Sequence, residues 1–166
     1  MFEKGEMVYY GTAGVCRVGD ICKSPFDKSD DRIYYVLEPS DFSVGTIIYA
    51  PAEGGKVLLR PLMTESEVNG LISAMAQIPP IEVANEKHRR DEYRRALRDG
   101  TPYDLARLIK TVYERRKKAV KTQKRLAETD AEFDKNARRA LTGEISYVLG
   151  VSAEDADGLL NASLKN

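Results

Sequence analysis

Short β-rich runs separated by glycines fill the first third of the chain, and helical spacing replaces them after Pro61. Residues 6–22, EMVYYGTAGVCRVGDIC, set Gly11, Gly14 and Gly19 between apolar stretches that lack a 3.6-residue period. This predicts a strand, a glycine-bearing turn and a second strand. The polar stretch 23–32, KSPFDKSDDR, reads as a loop. Strands follow at 33–37, at 46–50 before Pro51, and at 57–60, with turns at 39–45 and 53–56 between them. Beyond Pro61 the period changes. Thr64 and Glu67 have capping-box spacing, and Val68, Leu71, Ile72 and Met75 share one helical face that ends by Pro79 and Pro80. A second helix spans 85–99 with Tyr93, Ala96 and Leu97 inward and Gly100 as a left-handed stop. The third, 101–125, has Thr101 as its N-cap, Pro102 in the first turn and a stripe of Leu105, Leu108, Ile109 and Val112. The fourth starts at Thr129 or Asp130, buries Phe133, Ala137, Leu141, Ile145 and Val148, and stops at Gly150. A short last helix opens at Ser152 and carries Ala156, Leu159 and Leu160.

These elements predict an α+β chain. The strands suit a small, strongly bent antiparallel β-barrel of the SH3 or Tudor-like kind over 1–62, followed by a connecting helix and linker at 63–80 and an all-helical domain at 81–166. Such barrels keep edge strands, whose unpaired N–H and C=O groups can accept a strand from another protein. A hydrophobic content of 42% is enough for a real core. No apolar run approaches membrane-span length and the N-terminus has no secretory h-region, so the expectation is a cytoplasmic protein with no membrane partner.

Charge adds what the pattern of elements does not show. The whole chain balances 26 basic against 26 acidic residues. Residues 1–76 nevertheless carry 7 basic and 11 acidic, residues 77–166 carry 19 and 15, and the window 87–125 carries 15 against 5. A neutral or acidic docking half beside a cationic half points to a polyanion partner for the second, because Lys and Arg at phosphates release counterions. Catalytic chemistry finds no support. His88, the one histidine, lies among arginines, no phosphate-binding P-loop occurs, and the pairs Asp30–Asp31 and Glu154–Asp155 occupy turn or cap positions. Cys16 and Cys22 lack the further ligands a zinc site needs, so they read as small buried side chains, with no metal and no cofactor expected.

Phe2-x-x-Gly5-x-x-Val8-x-Tyr10-x-x-x-Gly14-Val15, then Tyr35-Val36-Leu37 and Ile47-x-x-Ala50-Pro51-Ala52, resemble the RNA polymerase-interacting module of the CarD/CdnL family of bacterial transcription regulators, a module shared with the transcription-repair coupling factor. The helical half is similar too, through Tyr93–Gly100, Leu105–Tyr113, the basic residues 115–118 and the Ala-Arg-Arg-Ala-Leu helix before Glu144-Ile145. The resemblance runs over roughly residues 2–150. It implies a non-enzymatic factor that docks its barrel on the β subunit of RNA polymerase and contacts promoter DNA with its helices, stabilising the open complex. By position the docking strand is Thr46, Ile47, Ile48, Tyr49 and Ala50, with Tyr49 where some members have arginine. Ile47 and Tyr49 also fit an ordinary amphipathic strand with one face in the core. The DNA candidates are His88, Arg89, Arg90, Arg94, Lys117 and Lys118. Many members wedge a tryptophan into the minor groove near the first basic helix; this chain has none, which favours salt-sensitive backbone contact with weak sequence preference. The alternative is a protein-only adaptor that binds polymerase or another protein without touching DNA. A monomer is expected, with strand-exchanged pairing through the barrel edge as the other option.

Overall fold

Each glycine-punctuated run of the first third becomes a strand of one antiparallel sheet. A computed structural model of the protein describes residues 1–41 and 45–166 and divides them into two units, 1–62 and 63–166. In the first unit the strands are β1 (Met7–Tyr10), β2 (Gly14–Lys23), β3 (Ile33–Pro39), β4 (Ile48–Pro51) and β5 (Leu59–Pro61), in the spatial order β4-β3-β2-β1-β5. The chain is thus α+β, as its pattern predicts. Among the described residues β4 and β5 stay unpaired with each other, so the sheet remains open and each is an edge. The turn expected at 39–45 includes residues 42–44, which lie outside the described residues.

β2 pairs with β1 over residues 14–17 and with β3 over residues 16–23, and the register with β3 shifts between Val18 and Asp20, where Gly19 is skipped. A bulge of this kind bends the strand and lets one short sheet wrap around its own core. That core is Val8, Cys16, Val18, Tyr35, Leu37 and Ala50. Gly11 shows why the first turn needs glycine. Its φ is +30°, and a Cβ there would lie 2.0 Å from Val57 Cγ1, while its N–H donates to Leu58 O at 2.9 Å and ties down the approach to β5.

In the second unit the helices are α1 (Glu65–Ala74), α2 (Arg89–Asp99), α3 (Pro102–Lys121), α4 (Glu128–Leu149) and α5 (Ala153–Leu164), with a 3-10 turn at Glu86–His88 leading into α2. α1 has the capping box read from Thr64 and Glu67, and it packs on α3, α4 and α5. The 63–80 segment, expected as a connector, is therefore part of this unit's packing. Glu144, fully buried, accepts from Met63 N at 2.8 Å and anchors the entry to α1. α3 is the central element. Leu105, Leu108, Ile109 and Val112 are all buried, and α4 meets them with Ala137, Leu141 and Ile145. Gly100 (φ +59°) ends α2, and Thr101 Oγ1 accepts from Asp104 N at 3.1 Å to start α3, so the sharp corner is encoded by adjacent residues.

α3 also holds down the proline segment that precedes α2. Lys110 Nζ donates to Ala76 O at 2.8 Å, Arg107 donates to Pro79 O and Pro80 O at 3.3 and 3.2 Å, and Thr111 Oγ1 accepts from Ile81 N at 2.8 Å. Residues from Ala76 to Ile81 lack helical partners for these groups, and the side chains of one helix face supply them. Among the described residues no helix is long and apolar enough to cross a membrane.

Candidate functional site

At the free edge of the first unit, β4 pairs among the described residues only with β3, in the register Leu37↔Ile48, Val36↔Tyr49 and Tyr35↔Ala50. Alternation then assigns the faces. Ala50 is in the core and Ile48 packs against it, whereas Ile47 and Tyr49 are 52% and 40% exposed. Thr46 is exposed and, like Ile47, precedes the paired strand, which begins two residues later than its β-branched content suggests. The strand thus leaves two large apolar side chains in solvent beside an open backbone edge.

Phe26 enlarges this surface, and sequence reasoning missed it. It is 72% exposed, and its ring stands edge-on to Tyr49 and Tyr34, with centroids 5.7 and 5.9 Å away. The loop that carries it is fixed by its own polar residues. Ser24 Oγ accepts from Phe26 N and Asp27 N, Asp27 accepts from Ser29, Arg32 grips Asp30, and Lys23 pairs with Asp31 at 2.7 Å. The available signal was a single aromatic residue in an otherwise hydrophilic segment.

In the second unit, the structure separates the cations that the sequence window groups together. Asp130, buried on α4, accepts from Tyr93 Oη at 2.9 Å and from Arg115 Nε at 3.0 Å, and lies 3.4 Å from Arg89 Nε. Glu86 pairs with the other side of the same two arginines. Arg89 hydrogen-bonding, then the nearby Arg115, holds the Glu86 carboxyl below its ordinary range, and burial followed by the Asp130 bond pushes the Tyr93 phenol up. Arg89 is consequently enclosed in a junction of α2, α3 and α4, and does not stand out as a surface contact. Arg116 approaches Asp134, whose carboxyl burial raises despite Arg138 and Arg116 beside it.

The remaining candidates are exposed. His88 sits at the start of α2, Arg90 and Arg94 lie 3.9 and 3.6 Å from Glu132 and Asp91, Lys117 leans over the Tyr113 ring at 5.4 Å, and Lys118 has no carboxylate partner among the described residues. Arg95 and Arg98 are also paired, with Glu92 and Asp99. Of the 15 cations in 87–125, eight face a carboxylate among the described residues, counting Lys110 with Glu114. Those that do not are concentrated at the end of α3 and just beyond, in Lys117, Lys118, Lys121, Lys124 and Arg125. No group of His, Cys, Asp and Glu suited to a metal occurs among the described residues.

A family model described as the CarD-like/TRCF RID domain matches residues 2–63, and one for the CarD C-terminal domain matches residues 71–161. The chain belongs to the CarD family. Its two matched stretches fall on the sheet unit and on the helical unit, so the chain is an RNA polymerase-interacting transcription regulator built from both domains of that family. No individual curated protein matches it.

Proposed function

We propose that this CarD-family chain docks on the β subunit of RNA polymerase through the edge 46–50 and contacts promoter DNA with its helical unit, stabilising the open complex. The observation that carries the reading is the free edge of β4 with Ile47 and Tyr49 turned outward, in the half that the polymerase-interacting domain model matches. An incoming strand would complete the edge by main-chain hydrogen bonds, and the outward side chains would add apolar contact. On the helical unit, the contact falls to His88, Arg90, Arg94, Lys117 and Lys118, because Arg89 is engaged by Glu86 and Asp130. Docking raises the local concentration of these groups at the promoter, so each DNA contact can be weak.

Co-migration of the protein with RNA polymerase tests the first half. The variant Ile47→Glu/Tyr49→Glu, shown to be folded by circular dichroism, should lose about tenfold or more in affinity, since charges replace the apolar contacts at the centre of the edge. Unchanged binding would reject the edge. Polymerase-dependent promoter binding tests the second half, with Lys117→Glu/Lys118→Glu expected to weaken it and flatten its salt dependence. The second reading, a protein-only adaptor, is favoured by the ion pairing of the α2 arginines. It predicts that the lysine variant leaves promoter binding untouched.

A further inference from the structure

Between the end of α3 and the start of α4 the chain makes a tight corner, and a groove of about 290 Å³ opens there. α3 stops at Lys121; Thr122 N donates to Lys118 O, and Gln123 takes a left-handed conformation (φ +53°) that sends the chain back so that Lys124 N reaches Ala119 O at 2.9 Å. Reversal brings Lys124 and Arg125 alongside Lys118, and all three line the groove with Ala119 and Leu126.

Glu86, Asp130 and Arg115 line it as well. Those two carboxylates are already occupied, Asp130 by Tyr93 and Arg115, and Glu86 by Arg89 and Arg115. Neither is bonded to Lys118, Lys124 or Arg125, which have no ion pair among the described residues. The lining thus carries four cations against two acids, and the surplus sits on Lys118, Lys124 and Arg125. Three cationic side chains without ion pairs lining one concave site, beside acids that are internally neutralised, suit an oxyanion with several acceptor oxygens. The volume is at the low end of the range for small-ligand sites.

We propose that this groove is a phosphate-binding site, with Lys118, Lys124 and Arg125 as its ligands. The phosphate can come from a nucleic-acid backbone or from a free polyphosphate, and only the first source rests on the DNA contact proposed above. In the backbone case the corner of α3 and α4 fixes the register of the helical unit on the strand.

Two probes on the full-length chain separate the possibilities: a fluorescent DNA duplex followed by anisotropy over a salt series, and inorganic tripolyphosphate followed by calorimetry. The variant is Lys124→Gln/Arg125→Gln. Its charge-matched control is Arg95→Gln/Arg98→Gln, and circular dichroism checks the fold of both. If the groove holds a DNA phosphate, the groove variant weakens duplex binding at low salt about tenfold or more and lowers the salt slope by about 2, and the control stays within about twofold. If wild type and both variants bind duplex alike, or the control loses as much as the groove variant, the groove is overturned while the DNA contact stands. If wild type binds tripolyphosphate but no duplex, and the groove variant alone loses it, the groove stands with a free polyphosphate as ligand and the DNA contact fails. Binding of neither probe by wild type overturns the groove.

Discussion

Asp130 is the residue whose loss should cost the helical unit most per atom removed. It is 1% exposed, yet three elements meet at its carboxylate: Tyr93 of α2 and Arg115 of α3 donate to it at 2.9 and 3.0 Å, and Arg89 of α2 lies 3.4 Å away. Replacing it with Ala leaves a buried phenol without its acceptor and two arginines facing one another with only Glu86 between them. Breaking a buried ion network by removing one partner costs about 3–5 kcal/mol, against a total of roughly 5–15 kcal/mol for a domain of this size. The melting temperature should fall by on the order of 15 °C. Tyr93→Phe removes one hydrogen bond to a charged group and keeps the ring against Phe133, whose centroid is 5.5 Å away, so about 1.5–3 kcal/mol is expected. Asp130→Asn should fall between the two, because it keeps an acceptor and loses the charge. Urea unfolding followed by far-UV circular dichroism reads this unit selectively, since the α-helices among the described residues all lie in 63–166. An Asp130→Ala midpoint within about 1 kcal/mol of wild type at an unchanged denaturant slope would refute the claim that this network holds the three helices together.

Other expectations follow from single observations. Phe26→Ala should weaken co-migration with RNA polymerase by about fivefold or more with no change in circular dichroism, as loss of an exposed aromatic anchor does at interfaces; equal binding would remove the ring from the docking surface. Gln123→Gly should stabilise the helical unit by about 1 kcal/mol in the same urea assay, because a left-handed backbone is strained for glutamine and not for glycine. Burial, with Asp41 nearby, pushes the Cys16 thiol up to about 12, so near neutral pH a thiol reagent followed by mass spectrometry should modify Cys22 and spare Cys16 until the sheet unfolds. Above pH 9.0, the ordinary value, the unfolded thiol ionises and the folded one does not, so stability is lost between there and about 12. The loss approaches about 1.4 kcal/mol per pH unit. Between pH 9.0 and 10.0, below the range in which the Tyr10 phenol, also pushed up by burial, begins to contribute, Cys16→Ala should lack that slope whatever its starting stability.

Local rules made part of this fold readable. The corner from α2 to α3 was written in three consecutive residues, Gly100, Thr101 and Pro102, each of which acts within one turn of itself. The capping box at Thr64 and the inward stripe of α3 were legible for the same reason. What could not be read were pairings between distant residues. Arg89 and Arg115 look like surface cations in any short window, since the carboxylate that takes them is on α4. Lys110 and Arg107 look equally free, yet they bind backbone carbonyls of the proline segment. The end of α3 was misplaced because Lys, Thr and Gln at 121–123 carry no breaker, and the turn is made by a glutamine in a conformation usually left to glycine. At β4 the outward pair Ile47 and Tyr49 followed from alternation once the register was known, but no sequence rule pointed to Phe26.

Charge accounting leads to the most restrictive expectation for DNA binding. If all 15 cations in 87–125 met phosphates, the salt slope for duplex DNA would approach about −13, at roughly −0.9 per phosphate neutralised. The structure excludes most of that. Opening the Arg89 or Arg115 pairs would strand Asp130 in the interior, at a cost of several kcal/mol. The exposed pairs of α2 open easily, within about 1 kcal/mol each, but every arginine moved to a phosphate leaves Asp91, Glu92, Asp99 or Glu132 unpaired beside the same polyanion. Such an exchange neutralises little net charge. Within this window, net neutralisation is left mainly to Lys87, Lys117, Lys118, Lys121, Lys124 and Arg125, which limits its share of the slope to about −5.4. A measured slope near that value or shallower fits a small phosphate-contacting corner. A slope steeper than about −6 would mean that α2 releases its carboxylates on binding, and its ion-paired surface would not be the one that meets DNA.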